Sequence, residues 1–293
     1  MEYFWGSVRT WSYWRYALFS ASAASRILVI LGGLWSLIEL LDFFGMYTRD
    51  KYSPYAFFVL LAVSICVAVS TRRPKTRISY RIPGRDLTCS VQIGDLLEAN
   101  ARNLVISTNT TFDTDIGSGL ISPESVQGKF TFKFFAGKSS ELDIQIDESL
   151  QGRKSEYRSG GKGKNRKFPI GTVAKVDAHG KTFYLLAMSE LNEDGNASTN
   201  PTMIDEALDG LWAFIAERGE LGDIAMAIIG TGRGRVKLSR KKMIERIVQS
   251  FVDASNKKIF ANQLVVYLHP KDAENFSVNL FEVRDYIAQS LHL

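Results

Sequence analysis

Histidine and cysteine are scarce in this 293-residue chain, three and two respectively. Cys66 and Cys89 make no CxxC pair, and two thiols are too few for a disulfide scaffold or a cysteine-ligated zinc. His179, His269 and His292 fall in no recognised catalytic triad or metal-ligand spacing. No GKS/T Walker A loop is present. Excess basic charge is also missing where a nucleic-acid domain would need it. The pI is about 9.1, yet residues 78–293 hold 27 Lys/Arg and 27 Asp/Glu. The surplus sits in residues 1–77, with nine Lys/Arg against four Asp/Glu. What is abundant is apolar side chain, 45% of the residues, enough for one or two domains with real cores.

Residues 27–44 (ILVILGGLWSLIELLDFF) carry only Glu39 and Asp42 as charges, and residues 54–71 (PYAFFVLLAVSICVAVST) carry none. Each run reaches the lower length for a helix crossing about 30 Å of hydrocarbon. A nine-residue connection makes the two helices antiparallel neighbours, so a transmembrane hairpin is expected over 27–71. Arg9, Arg15 and Arg26 precede it and Arg72, Arg73, Lys75 and Arg77 follow it, which places both termini in the cytoplasm of a cell membrane. A cleavable signal peptide does not fit a late apolar run followed by a second one. Three of the five tryptophans fall in the first fourteen residues, among Tyr3, Phe4, Tyr13 and Tyr16, and predict an interfacial helix in segment 1–26. Glu39 and Asp42 share a helix face and sit either at the outer interface or along an assembled pore.

From residue 72 a linker and first strand run to 86, and one larger domain follows over 87–293. Strand-like runs fall at 78–82, 87–93, 103–108, 171–176, 181–187, 223–229 and 262–268. Helix-like runs fall at 120–135, 139–150, 202–218, 239–254 and 279–291. This alternation predicts a three-layer α/β domain with a mixed, largely parallel sheet. Segment 152–167, with Arg153, Lys154, Arg158, Lys162, Lys164, Arg166 and Lys167 against Glu156 alone, reads as a long loop. It is solvated, or a lid over a diphosphate, or a contact for anionic lipid.

Two glycine-rich turns stand out: Gly117-Ser118-Gly119-Leu120, entering a helix, and Gly230-Thr231-Gly232-Arg233-Gly234-Arg235, leaving a strand. Glycines allow close backbone approach to phosphate, and open α/β sheets bind ligands at such strand ends. Val91-Gln92-Ile93-Gly94-Asp95-Leu96 resembles the opening VxxGDI of macro domains, and Val105-Ile106-Ser107-Thr108-Asn109 resembles their VNAAN strand end. The first glycine turn takes the place of their GGGV run, and residues 229–235 resemble their STGxxG phosphate loop. The resemblance implies a macro-like ADP-ribose pocket over 87–293. Asp95 would meet the adenine amino group with Leu96 beside it, and Asn109 the distal ribose. Gly117 to Leu120 and Gly230 to Arg235 would wrap the phosphates, with Arg233 and Arg235 as direct partners. Taken singly, Asp95 is equally a solvated turn residue and Asn109 equally a turn cap. The thinner glycine run and Thr110-Thr111-Phe112-Asp113 depart from the family's hydrolase-like pattern.

Two spans followed by a macro domain resemble the membrane effectors of type II Thoeris antiphage defence. That resemblance implies an ADP-ribose-derived signal, made from NAD by a TIR-domain partner, and a homo-oligomer that disrupts membrane lipid and aborts infection. It implies no cofactor, no metal, no catalytic residue and no nucleic-acid partner. The competing expectations are a membrane-tethered ADP-ribosyl hydrolase using Asn109, and a nucleic-acid module using 152–167.

Overall fold

The computed structural model describes residues 2–46, 53–136, 138–160, 162–230, 238–276 and 278–291. The chain divides into two compact units, one of residues 1–75 with 279–285, the other of residues 76–278 with 286–293.

The first unit holds α1 (Glu2–Val8), α2 (Trp11–Ala17), α3 (Ala21–Phe43) and α4 (Ser53–Ser70). The aromatic segment is therefore two short helices rather than one. Thr10 caps α2 by accepting from the Tyr13 N–H, and Ser20 caps α3 by accepting from the Ala23 N–H. Helices α3 and α4 run antiparallel. At their shared end Arg26 donates to the Thr71 hydroxyl at 3.1 Å, and Arg72 donates to Ser20 at 3.1 Å and Ser22 at 2.9 Å. The same guanidinium lies 4.2 Å from the centre of the Tyr16 ring. Small buried residues, Ala23, Ser64 and Ala68, allow the close approach of helices. Leu28, Val29, Leu37, Leu40, Phe43, Phe57, Phe58 and Val59 all point outward, an apolar surface larger than proteins leave to water. Among the described residues one helix, Ala21–Phe43, is long and apolar enough to cross a membrane, and the apolar stretch Tyr55–Ser70 is shorter. Residues 279–285, the start of the last helix, pack in this unit too. Phe281 stacks on Tyr16 at 4.7 Å and Asn279 donates to the Thr10 hydroxyl.

The second unit is built on β1 (Arg77–Arg81), β2 (Thr88–Ile93), β3 (Asn103–Asn109), β4 (Glu156–Tyr157), β5 (Arg166–Lys167), β6 (Val173–Ala178), β7 (Lys181–Leu191), β8 (Ala197–Ser198), β9 (Gly222–Ala227) and β10 (Ala261–Leu268). The main sheet runs β1-β2-β10-β9-β3-β7-β6, with β8 on β7. Strands β2, β10, β9, β3 and β7 pair parallel, and the outer β1 and β6 pair antiparallel. The central strands are buried on both faces, as parallel sheets require, and β3 reads buried at Leu104, Val105 and Ile106.

Helices α5 (Val126–Phe135) and α6 (Ser139–Ser149) cover one face, where Phe130, Phe134, Leu142 and Ile146 pack on Leu104, Ile106, Phe183 and Leu185. Helices α7 (Pro201–Arg218) and α8 (Arg240–Lys257) cover the other, with Trp212, Ile247 and Phe251 buried. Ser239 caps α8 and Asn200 caps α7. Two short helices follow β10, α9 (Pro270–Asn275) and α10 (Leu280–Ser290).

Helix α5 starts six residues later than its apolar pattern suggests. Pro123 disfavours a helical Ser122, and Ser125 then caps the helix by accepting from the Gly128 N–H at 3.0 Å. Segment 152–167 also departs from expectation. It is a hairpin in which Glu156 pairs with Lys167 and Tyr157 with Arg166.

Close packing of α7 depends on glycine. A Cβ on Gly210 would lie 2.4 Å from the Gly171 carbonyl oxygen, backbone that cannot step aside. Gly210→Ala is expected to cost about 2 kcal/mol and lower the thermal midpoint by about 5 °C, measured by circular dichroism.

Candidate functional site

Five parallel strands bring their C-terminal ends to one edge of the sheet, and the loops leaving them carry the candidate residues. Asp95 follows β2. It is exposed, and its carboxylate accepts from the Leu97 N–H at 2.9 Å, capping a single 3₁₀ turn over 96–98. The preceding Gly94 donates its N–H to the Leu268 carbonyl at the end of β10, at 3.0 Å. Leu96 is buried at 3% exposure, so its side chain serves the core and only its backbone can face a ligand. Tyr267 lies under Gly94, and burial pushes its phenol above the usual range, with Arg77 partly offsetting this. Within β2 itself burial pushes the Cys89 thiol up to about 12, leaving it inert.

Asn109 closes β3 and is buried. Its Oδ1 accepts from the Thr111 N–H at 3.1 Å and the Asp113 N–H at 3.1 Å, and the Thr111 hydroxyl lies 3.0 Å away. The carboxamide therefore ties loop 110–114 back onto the strand, the turn-capping chemistry of asparagine. This loop holds Phe112 in the left-handed region at φ +50°, with its ring buried edge-on to Phe168 at 5.5 Å. Asp113, also buried, accepts from the Lys164 N–H at 2.6 Å and from the Thr111 hydroxyl. Its backbone carbonyl accepts from Gln127 at 2.6 Å. Thr114 and the Lys164 ammonium both reach Asp143 of α6. Sequence reasoning names Thr111, Asp113 and Lys164 without joining them and misses Asp143; the Asn-Thr-Thr-Phe-Asp order carried the local half of this network.

The first glycine turn follows. Gly117, Ser118 and Gly119 are exposed and Leu120 is partly buried. Asp115 accepts from the Gly117 N–H at 2.8 Å, the Gly119 N–H donates to the Ile116 carbonyl at 3.2 Å, and Gly119 takes φ +77°. The turn does not lead straight into α5, which begins at Val126. The second glycine turn opens at Gly230, φ +71°, just past β9. Thr231, Gly232, Arg233, Gly234 and Arg235 lie outside the described residues.

Hairpin β4–β5 stands at the same edge, fastened by the Lys164 contacts, by Lys167 to Glu190 at 2.7 Å, and by Arg158 to the Asn192 carbonyl at 2.7 Å. A separate groove of about 960 Å³ runs between α7 and α8, lined by Asp205, Asp209, Lys242, Glu245 and Arg246 among others. None of the strand-end candidates lines it, and its balanced charges favour no one ligand sign. Among the described residues no group of His, Cys, Asp and Glu is placed to hold a metal.

A family model described as "Thoeris protein ThsA, Macro domain" matches residues 89–269. No curated protein matches the sequence. Similar solved structures include the Oceanobacillus iheyensis macrodomain with ADP, at 14% identity and TM-score 0.48, covering 74% of this chain and 96% of that one. The Trypanosoma brucei macrodomain in complex with ADP-ribose matches at 9% identity and TM-score 0.45, covering 67% and 70%. The macrodomain of Thermus aquaticus DarG matches at 18% identity and TM-score 0.39, covering 61% and 96%.

Proposed function

This chain belongs to the Thoeris ThsA macro-domain family, and from that premise we propose that it is a membrane effector of bacterial antiphage defence. Its macro domain senses an ADP-ribose-derived nucleotide made by a TIR-domain enzyme. Ligand binding drives homo-oligomerisation, and the assembled helices breach the inner membrane and abort infection. The observation that carries this reading is the pairing, in one chain, of the macro fold with α3 and α4, whose apolar faces lie open. Two helices cannot enclose a pore, so the active state requires several copies, and ligand must bind that assembled state more tightly. Both termini face the cytoplasm, in keeping with the basic flanks.

A receptor fits the strand-end geometry better than a hydrolase. The Asn109 oxygen already holds loop 110–114, and the nearby Asp113 carboxylate is engaged by Lys164 and Thr111. The test is dye release from liposomes carrying the full-length protein. Release on addition of the TIR product, with no turnover of it, supports the proposal; tight liposomes under saturating ligand overturn it.

The two free thiols report on the membrane part. Cys66 lies exposed on α4 and Cys89 is buried in β2. In bilayers Cys66, covered by lipid, is expected to resist a charged maleimide and to be labelled by it once the protein is in denaturing detergent. Cys89 should likewise react only after the domain is unfolded. Labelling of Cys66 by the charged reagent in intact bilayers would place α4 in water.

A further inference from the structure

We propose that hairpin β4–β5 is the second wall of the nucleotide site, and that Lys162 on it contacts a phosphate of the bound ligand. The inference rests on the reading of the strand ends as an ADP-ribose-type site. As it stands, the first glycine turn is a poor anion seat. The exposed Asp115 carboxylate takes the Gly117 N–H and adds a negative charge, and the Gly119 N–H is turned to Ile116. A diphosphate beside this turn needs a cation from elsewhere.

The hairpin brings one. Its approach to the turn is fixed at Gly195, φ +84°, in the β7–β8 connection. A Cβ there would lie 2.6 Å from Leu120 Cδ2 and 3.6 Å from Lys162 Cβ. The glycine turn, the hairpin and the β7–β8 connection thus meet at Gly195, whose left-handed backbone favours glycine. The Lys162 stem is seated against it and the residue stays exposed.

Five of the segment's other six cations are committed. Lys164 pairs with Asp143, Lys167 with Glu190, and Arg158 donates to the Lys162 and Asn192 carbonyls. Arg166 donates to Ser155 and covers the Phe168 ring, and Arg153 lies over Phe214. Lys154 is exposed as well, but it precedes β4 at the base of the hairpin, whereas Lys162 lies in the connection between β4 and β5. The anchored hairpin therefore holds a single lysine at the turn, with its ammonium available to a phosphate oxygen.

The test is calorimetric titration of the full-length protein in lipid nanodiscs with ADP-ribose. Lys162→Met, which keeps the packed stem, is expected to weaken binding about tenfold, the scale of one charge-assisted hydrogen bond. Lys162→Arg should restore most of that loss, and Lys154→Met should bind like the unaltered protein. Thermal midpoints should match throughout. Unchanged affinity in Lys162→Met overturns the proposal and leaves the strand-end site standing. Equal losses in Lys162→Met and Lys154→Met also overturn it, since the effect would then be diffuse charge. Absence of ADP-ribose binding in the unaltered protein overturns the site reading itself, and this inference with it.

Discussion

Asn109→Ala should abolish measurable ADP-ribose binding and lower thermal stability together. Two backbone N–H groups, of Thr111 and Asp113, are satisfied by the Asn109 oxygen in a buried setting. Leaving each unpaired costs about 1–3 kcal/mol, so the pair costs roughly 2–6 kcal/mol. For a domain of this size that is a fall of about 5–15 °C in thermal midpoint. The loop freed by the change carries Phe112 in its left-handed conformation and Asp113 in its contact with the hairpin. The two walls of the site therefore lose their common support. Asp95→Ala offers the contrast. Its carboxylate is exposed and caps one short turn, worth about 1 kcal/mol. Affinity should drop there with a midpoint shift of only a few degrees. Scanning calorimetry and titration on the same preparations separate the two cases. An Asn109→Ala protein as stable as its parent would remove the loop-holding role assigned to this side chain.

The second large effect concerns the apolar helices. Leu37 on α3 and Val63 on α4 are exposed, at 53% and 42%. A lysine near the middle of a spanning helix costs about 3 kcal/mol on insertion scales, so Leu37→Lys with Val63→Lys costs about 6 kcal/mol. The unaltered protein is expected to stay in the membrane pellet through alkaline carbonate extraction. The double variant is expected to be extracted or degraded. Extraction of the unaltered protein would show that α3 and α4 cover another protein surface instead of lipid.

Elements such as β3 and α8 are legible to within three residues where a local period reports burial. Strand β3 was expected at 103–108 and runs Asn103–Asn109, and α8 was expected at 239–254 and runs Arg240–Lys257. Legibility failed where order comes from contacts remote in sequence. Segment 152–167 is polar and glycine-rich, without alternation, so it reads as a loop. It is ordered by Lys164 reaching Asp113 and Asp143, and by Lys167 reaching Glu190. The start of α10 reads as part of the ligand domain, yet Phe281 and Asn279 pack with Tyr16 and Thr10. The start of α5 was misplaced because apolar periodicity outweighed the stop at Pro123 and the cap at Ser125.

Asp95, Asn109 and Gly230 lie at or just past the C-terminal ends of β2, β3 and β9, because parallel strands end on the same side of the sheet. Side-chain roles were less legible. Asn109 types equally as a ligand group and a turn cap, and only the geometry of loop 110–114 shows its oxygen turned inward. Leu96 fits the motif by position while its side chain belongs to the core. The basic residues of 152–167 look alike in sequence, and the partners of the other five set Lys154 and Lys162 apart.

Calorimetric titration of the full-length protein in nanodiscs, with ADP-ribose and with the product of a TIR-domain NAD-consuming enzyme, tests the central claim most directly. Saturable binding of the TIR product is expected, tighter than that of ADP-ribose, without turnover, and weakened in Asp95→Ala. A folded protein that binds neither compound would contradict the receptor reading.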